Sequence, residues 1–278
     1  MADPPTTLSF GPQGDQWLYD RESNRYDITR GQVSSTRPGW ALETTQGPEK
    51  ANLVMAPDIS ALIVVDMQNF FLHPSCNDYP EGLAAVDRLL GVIKQCRKLG
   101  VKIIWVNWGL KEVDLPVIPA ATAKAFSTEL FSGPGDSKQA RRGFGTDMGD
   151  NRGRLLMEGE WNAALYDPLR EASDEELDIF CSKDRISALW HESTALAHAL
   201  EDNNIRTLLF AGVNTDQCVF GTLADAYYQG FDCIMVEDCC ATKTPGGQDV
   251  SVWNASRGYG FVTDSKAFCN GSPATTSQ

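Results

Sequence analysis

The chain is poor in histidine, in basic charge and in long apolar runs, and each shortage excludes a class of function. Three histidines in 278 residues, His73, His191 and His198, have no recognisable metal-ligand spacing, and no CxxC pair accompanies them. Lys+Arg number 24 against 37 Asp+Glu, a formal net charge of −13 that repels nucleic-acid phosphates. No apolar run approaches the length that spans a bilayer, so a membrane role is not expected. The start, Met1-Ala2-Asp3-Pro4-Pro5, lacks the basic and apolar regions of a secretory signal. A cytoplasmic protein is the resulting expectation. Its eight cysteines are dispersed through the chain, which favours free thiols over a disulfide framework.

What remains is the composition of a globular enzyme for small molecules, 42% hydrophobic and 22% charged. Residues 1–56 are rich in Pro, Gly, Thr and charge. Their ordered signal is Trp17-Leu18-Tyr19 and Tyr26-Asp27-Ile28 around Arg21-Glu22-Ser23-Asn24, which reads as a β-hairpin on an N-terminal arm. A disordered tail is the alternative. The main domain is expected over 57–268, and 269–278 is expected to be a C-terminal tail.

At Ala61-Leu62-Ile63-Val64-Val65 the pattern becomes a continuous branched run, as expected of a parallel strand covered on both faces. A helical period over 83–99 stops at Gly100 and leads to a second strand, Val101-Lys102-Ile103-Ile104-Trp105-Val106, which completes a βαβ unit. Further strands are predicted at 177–180, 207–211, 233–236 and 261–262, with helices at 194–202, 218–229 and 248–256. The alternation predicts an α/β fold: an open parallel six-stranded sheet with helices on both faces, its site at the carboxyl ends of the strands. The stretch 107–176 exceeds a plain connection and is expected to form a lid or pocket wall, with short helices at 121–130 and 161–169.

Three polar residues follow three of these strands: Asp66, Lys183 and Cys218. A carboxylate can take a thiol proton, and an ammonium and a helix start both favour the thiolate. Each also has an ordinary reading: Asp66 as a strand-end cap, Lys183 as a solvated surface lysine, Cys218 as a small buried hydrophobe. Gln68, two residues past Asp66, could orient substrate or water, or make a strand-end hydrogen bond. Asn107 and Trp108 end the second strand, where an amide and an indole could bind a small polar acyl group, or simply pack. Arg185 could hold a substrate carboxylate, although a surface ion pair fits it better.

The strings Leu62-Ile63-Val64-Val65-Asp66-Met67-Gln68-Asn69, Lys183-Asp184-Arg185-Ile186-Ser187-Ala188 and Gly212-Val213-Asn214-Thr215-Asp216-Gln217-Cys218-Val219 closely resemble signatures of the isochorismatase-like cysteine hydrolases. The resemblance runs from about Asp58 to Phe268. It implies a six-stranded parallel sheet with a catalytic triad of Asp66, Lys183 and Cys218. It further implies a non-proline cis peptide between Val213 and Asn214, with the N–H groups of Asn214 and Cys218 forming an oxyanion hole. Ile186 stands where the family usually has an aromatic residue. Assembly into a homo-oligomer is expected from the resemblance alone.

Within that family, nicotinamidase-like members hold a metal through an acidic and histidine cluster after the first strand. Only His73 lies there, so no metal and no cofactor are expected. Cys218 argues for the amidase branch, because relatives that cleave the vinyl ether of isochorismate lack the nucleophile. The strings Ile104-Trp105-Val106-Asn107-Trp108-Gly109, Gly159-Glu160-Trp161 and Val236-Glu237-Asp238 resemble the ureidoacrylate amidohydrolase group. The expected function is thus hydrolysis of an amide or ureido C–N bond through a Cys thioester. The alternatives are isochorismatase activity and a non-catalytic binding relative.

Overall fold

The computed structural model describes residues 5–47, 50–127 and 143–274. Five short strands come first: β1 (Thr7–Phe10), β2 (Trp17–Asp20), β3 (Arg25–Asp27), β4 (Gly39–Glu43) and β5 (Asn52–Met55). The hairpin expected from the aromatic pairs is β2–β3, with Tyr19 opposite Tyr26 and Leu18 opposite Asp27. Beyond that hairpin the arm is a sheet. β1 pairs with β2, β3 runs parallel to β5, and β5 pairs antiparallel with β4.

A second sheet contains β6 (Ser60–Val65), β7 (Lys102–Trp108), β8 (Ile179–Lys183), β9 (Thr207–Val213), β10 (Asp232–Ala241) and β11 (Phe261–Thr263). All neighbours are parallel, in the order β11-β10-β9-β6-β7-β8. The unbroken apolar runs of β6 and β9 have their cause in this order: both strands are central, and every residue of each is buried. The third strand lies two residues beyond its expected place. Asp178 is drawn instead into a turn, where its carboxylate accepts from the Asp174 N–H, Arg97 and the Trp105 indole. The strand that follows therefore ends on Lys183.

Helices cover both faces: α1 (Asn69–Leu72), α2 (Pro80–Leu99), α3 (Ala120–Ala125), α4 (Asp167–Ala172), α5 (Ala195–Asp202), α6 (Phe220–Tyr228), α7 (Gly247–Asn254) and α8 (Ser265–Cys269). Helix α2 begins with Pro80 at its first turn and buries Ala85, Val86, Leu89, Val92, Ile93 and Cys96 along one stripe. In the long connection, the helix expected over 121–130 is α3, and residues 128–130 lie outside the described residues. The helix expected over 161–169 is a 3-10 turn, Trp161–Ala163, followed by α4. There the buried Asn162 side chain accepts from the Leu156 N–H and donates to the carbonyls of Arg152 and Arg154, so backbone bonds of the connection replace helical ones.

Residues 272–274, expected in a tail, form β12 (Ser272–Ala274), which pairs antiparallel with β4 and completes the first sheet. Trp40 Nε1 donates to Phe268 O and Thr263 Oγ1 to Glu43 O, fastening this sheet to the end of the larger one.

Candidate active site

The strand order reverses between β6 and β9, and parallel sheets bind ligands outside the carboxyl ends of the strands at such a switch. Gly212 lets these two strands close up there: at φ +122°, a Cβ on it would lie 2.0 Å from Val65 O. Asp66 follows β6 directly. Its positive φ, 54°, swings the chain out of the strand while its N–H still donates to Val106 O at 2.8 Å. Cys218 lies in a π-helical turn, Thr215–Val219, that runs into α6; the helix expected to begin at Cys218 thus begins three residues earlier and wider. The Val213–Asn214 peptide leading into that turn is cis.

These ends bring the three side chains together. Lys183 Nζ lies 3.0 Å from Asp66 Oδ2 and donates to Cys218 Sγ at 3.4 Å and to Arg185 O at 3.1 Å. It also sits 3.8 Å from the centroid of the Trp108 ring. All three are buried, with residue exposures of 0% for Asp66, 6% for Lys183 and 3% for Cys218. Among the described residues, the buried side-chain polar atoms without a hydrogen-bond partner are both Asp66 carboxylate oxygens, Asn107 Oδ1 and Trp108 Nε1. Asp66 and Lys183 form a buried ion pair, and the Cys218 thiol and the Trp108 N–H lie near enough to the carboxylate to favour its charged form as well. Buried polar atoms left unsatisfied cost about 1–3 kcal/mol each, so their concentration at the ends of β6 and β7 makes this place a candidate site.

Burial is the largest influence on both acids. It raises the Asp66 carboxyl above its ordinary value, with the Lys183 charge the foremost opposing effect. Burial also pushes the Cys218 thiol up to about 12, reinforced by the Asp66 charge and opposed by Lys183. The Lys183 ammonium favours the thiolate, as expected, while desolvation, which the sequence does not display, acts the other way and is the larger influence.

The other expected residues divide. Trp108 is the cross-strand partner of Lys183 and shares its face; Phe126 and Phe144 wall its ring at 4.9 and 5.1 Å. Asn107 pairs with Ser182 and, by the alternation of the strand, belongs to the opposite face. Gln68 is committed to the backbone, donating to Trp108 O at 2.7 Å and Ala163 O at 2.6 Å and accepting from the Trp108 N–H at 3.0 Å. It clamps β7 to the long connection, which is the strand-end role and leaves no free amide for substrate. Phe126 and Phe144 escaped notice in the sequence because nothing periodic surrounds them. Arg185 bonds Asp184 and Val117 O rather than pointing to the triad.

No group of three or more His, Cys, Asp and Glu side chains that could hold a metal occurs among the described residues. The His73 ring bonds Ser75 Oγ and packs edge-on against Trp161. No helix among them is long and apolar enough to cross a membrane. The cavity of ≈ 1040 Å³ between the two sheets, lined by Trp17, Tyr26, Arg30, Asp232 and Phe261, lies at the amino ends of β10 and β11, away from the triad.

Known proteins are similar to this chain in sequence and fold. The isochorismatase domain matches residues 60–267. The ureidoacrylate amidohydrolase RutB of Klebsiella variicola (strain At-22) is 29% identical over 235 residues, covering 81% of this chain and 92% of that protein. Among solved structures, a cysteine hydrolase from Pseudomonas syringae pv. phaseolicola 1448A superposes with a TM-score of 0.59 at 17% identity, over 82% of this chain and 95% of the other. The N-carbamoylsarcosine amidase from Thermoplasma acidophilum gives 0.53 at 25% identity, over 74% and 95%. With three quarters of its length matched by the domain and its sheet in the same fold, the chain belongs to the isochorismatase family.

Proposed function

We propose that this enzyme hydrolyses an amide or ureido C–N bond of a small polar substrate through a thioester on Cys218. The observation that carries the reading is a single buried ammonium, Lys183 Nζ, 3.0 Å from a carboxylate oxygen and 3.4 Å from a thiol sulfur. Moving the thiol proton to Asp66 leaves the net charge of that buried group of three unchanged. Releasing it to water would leave an extra negative charge in a dry site, which the high thiol value opposes. Base and nucleophile are thus coupled. A carboxyl raised by burial is also a stronger base for a thiol raised by the same cause.

In the first step Cys218 Sγ attacks the carbonyl carbon as its proton passes to Asp66. The backbone N–H groups of Asn214 and Cys218, at the carboxyl end of β9, are the proposed donors to the developing oxyanion; one such donor is worth about 3 kcal/mol of barrier. Collapse breaks the C–N bond, and Asp66 hands its proton to the leaving nitrogen. Water then adds to the thioester, giving a proton to Asp66. Collapse expels the sulfur, which takes that proton back and restores the thiol with release of the acid. Lys183 stays cationic throughout and compensates whichever partner is negative. Trp108 Nε1, buried, unpartnered and on the Lys183 face, is the proposed substrate donor, whereas Asn107 would act only from the opposite face. Two similar proteins named as an amidohydrolase and an amidase support the choice of bond.

The test is intact-protein mass measurement during turnover of N-carbamoyl and ureido acids, with isochorismate in the same panel. An acyl adduct on Cys218 is expected, together with a loss of about 10,000-fold or more in Cys218→Ala. Vigorous isochorismate cleavage by Cys218→Ala, without any adduct in the wild type, would overturn the proposal.

A further inference from the structure

The turn that carries Cys218 is tied down from outside at each residue before the nucleophile. Tyr79 donates its hydroxyl to Asn214 Oδ1 at 2.9 Å, and Thr215 Oγ1 donates to Gln248 Oε1 at 2.5 Å. Thr242 Oγ1 donates to Asp216 Oδ1 at 2.5 Å, and Gln217 Nε2 reaches Thr244 Oγ1 at 3.5 Å. Three of these ties come from the segment after β10. The tie to Asn214 comes instead from Tyr79, the residue that precedes α2.

Tyr79 is itself fixed. Its exposure is 1%, and its ring lies flat on the first turn of α2 because residue 82 is glycine. A Cβ on Gly82 would stand 2.8 Å from Tyr79 Cδ1 and 2.9 Å from Leu72 Cδ2. Lys243 Nζ donates to Asn77 Oδ1 and Asp78 O, which staples the two residues preceding the ring to the segment after β10. Burial raises the phenol above its ordinary value, so the hydroxyl remains a donor across the range in which enzymes work. The bond spans 135 residues of sequence and joins no regular element to its neighbour, so the fold of the sheet does not require it.

We infer that Tyr79 is a positioning residue for the reaction, holding Asn214 so that its backbone N–H keeps its aim at the oxyanion. This rests on the proposed use of Asn214 and Cys218 as oxyanion donors. Donors stabilise a transition state only where they are held in place before charge develops, and a small misplacement forfeits much of the effect. A hydroxyl that touches neither substrate nor the triad can therefore matter to the rate.

Tyr79→Phe keeps the ring and removes the donor. It is expected to lower kcat about tenfold with KM changed less than about twofold, because the oxyanion exists only in the transition state. Alkylation of Cys218 by iodoacetamide should proceed at the wild-type rate in the same variant, since displacement at a saturated carbon builds no oxyanion. In an Asn214→Ala background, where the acceptor is gone, Tyr79→Phe should change kcat no further. Three results overturn the inference: an unchanged kcat in Tyr79→Phe, a fall in alkylation that matches the fall in kcat, or the same tenfold loss in the Asn214→Ala background. The reading it rests on fails differently. A wild type that turns over without an acyl adduct on Cys218 removes both, whereas an adduct with an indifferent Tyr79 removes this inference alone.

Discussion

Asp66 and Asp232 stand at opposite ends of the central sheet, both buried and both raised by burial, yet their surroundings differ in kind. Asp232, the first residue of β10, accepts from the Trp17 indole at 2.8 Å, from Arg30 Nε at 3.1 Å and Nη2 at 2.5 Å, and from Thr207 Oγ1 at 3.2 Å. Its lone pairs are used, and the bonds stitch the arm to the domain. Asp66 has the Lys183 cation beside it as its foremost partner, with the Cys218 thiol and the Trp108 N–H as lesser ones. A carboxylate whose oxygens are saturated resists change in protonation. One that faces a cation and a thiol is placed to take up a proton and give it back, as the proposed mechanism requires.

Paired substitutions test that contrast most sharply. Asp66→Asn is expected to lower turnover about 10,000-fold, since in the proposed mechanism the thiol loses its base and the leaving nitrogen its acid. Asp232→Asn should leave turnover per folded molecule unchanged while costing about 1–3 kcal/mol of stability, because Arg30 loses one of its two carboxylate partners and keeps only Asp15. Urea midpoints and active-site-normalised rates measure the two effects separately. A folded Asp232→Asn protein with lost activity would break the comparison.

The pH dependence separates the roles further. Between its ordinary value, 3.8, and its raised value in the fold, Asp66 holds a proton that the unfolded chain has released. Stability from this group is therefore complete below 3.8 and is lost as pH rises through the raised value. Activity runs the opposite way, because the base is made by ionisation. The acid limb of the rate profile is expected above the ordinary carboxylate range, and Asp66→Asn should flatten the pH dependence of stability across the same window. Lys183→Ala removes the largest influence holding both groups down, so it should move the acid limb upward and slow alkylation of Cys218 at a fixed pH. A limb at or below 3.8 would contradict the placement of Asp66 in a dry site.

What the sequence made legible follows from how local each signal was. β6, β7, β9 and β10 announce themselves because a central parallel strand is apolar on both faces; Asp66 stands where β6 stops and Cys218 in the turn after β9, while Lys183 ends the edge strand β8. The first sheet was invisible apart from the β2–β3 hairpin. Its other strands are only three to five residues long, and β12 meets β4 more than two hundred residues away in the chain. Gln68 read as a substrate contact because its spacing from Asp66 is right. Only the packed structure places the Trp108 and Ala163 carbonyls against its amide. The desolvation of Cys218 was out of reach for the same reason: charges and helix starts can be read from sequence, whereas burial belongs to the assembled core.

The smallest expected effect concerns the second cation of the Lys183-Asp184-Arg185 string, and it sharpens the comparison within three residues. Lys183 points inward and compensates the triad, whereas the Arg185 guanidinium donates to Asp184 Oδ2 at 2.9 Å and to Val117 O at 3.3 Å, and stacks on Trp190 at 4.9 Å. Its donors are directed at the rim of the long connection rather than at the substrate. Arg185→Ala should therefore change kcat/KM by less than about twofold, a difference under half a kcal/mol. Stability should fall by about 0.5 kcal/mol, the ordinary worth of a partly exposed pair. Anionic and neutral amide substrates must both be assayed. A fall confined to the anionic ones would turn Arg185 into a carboxylate-binding residue and remove the contrast with Lys183.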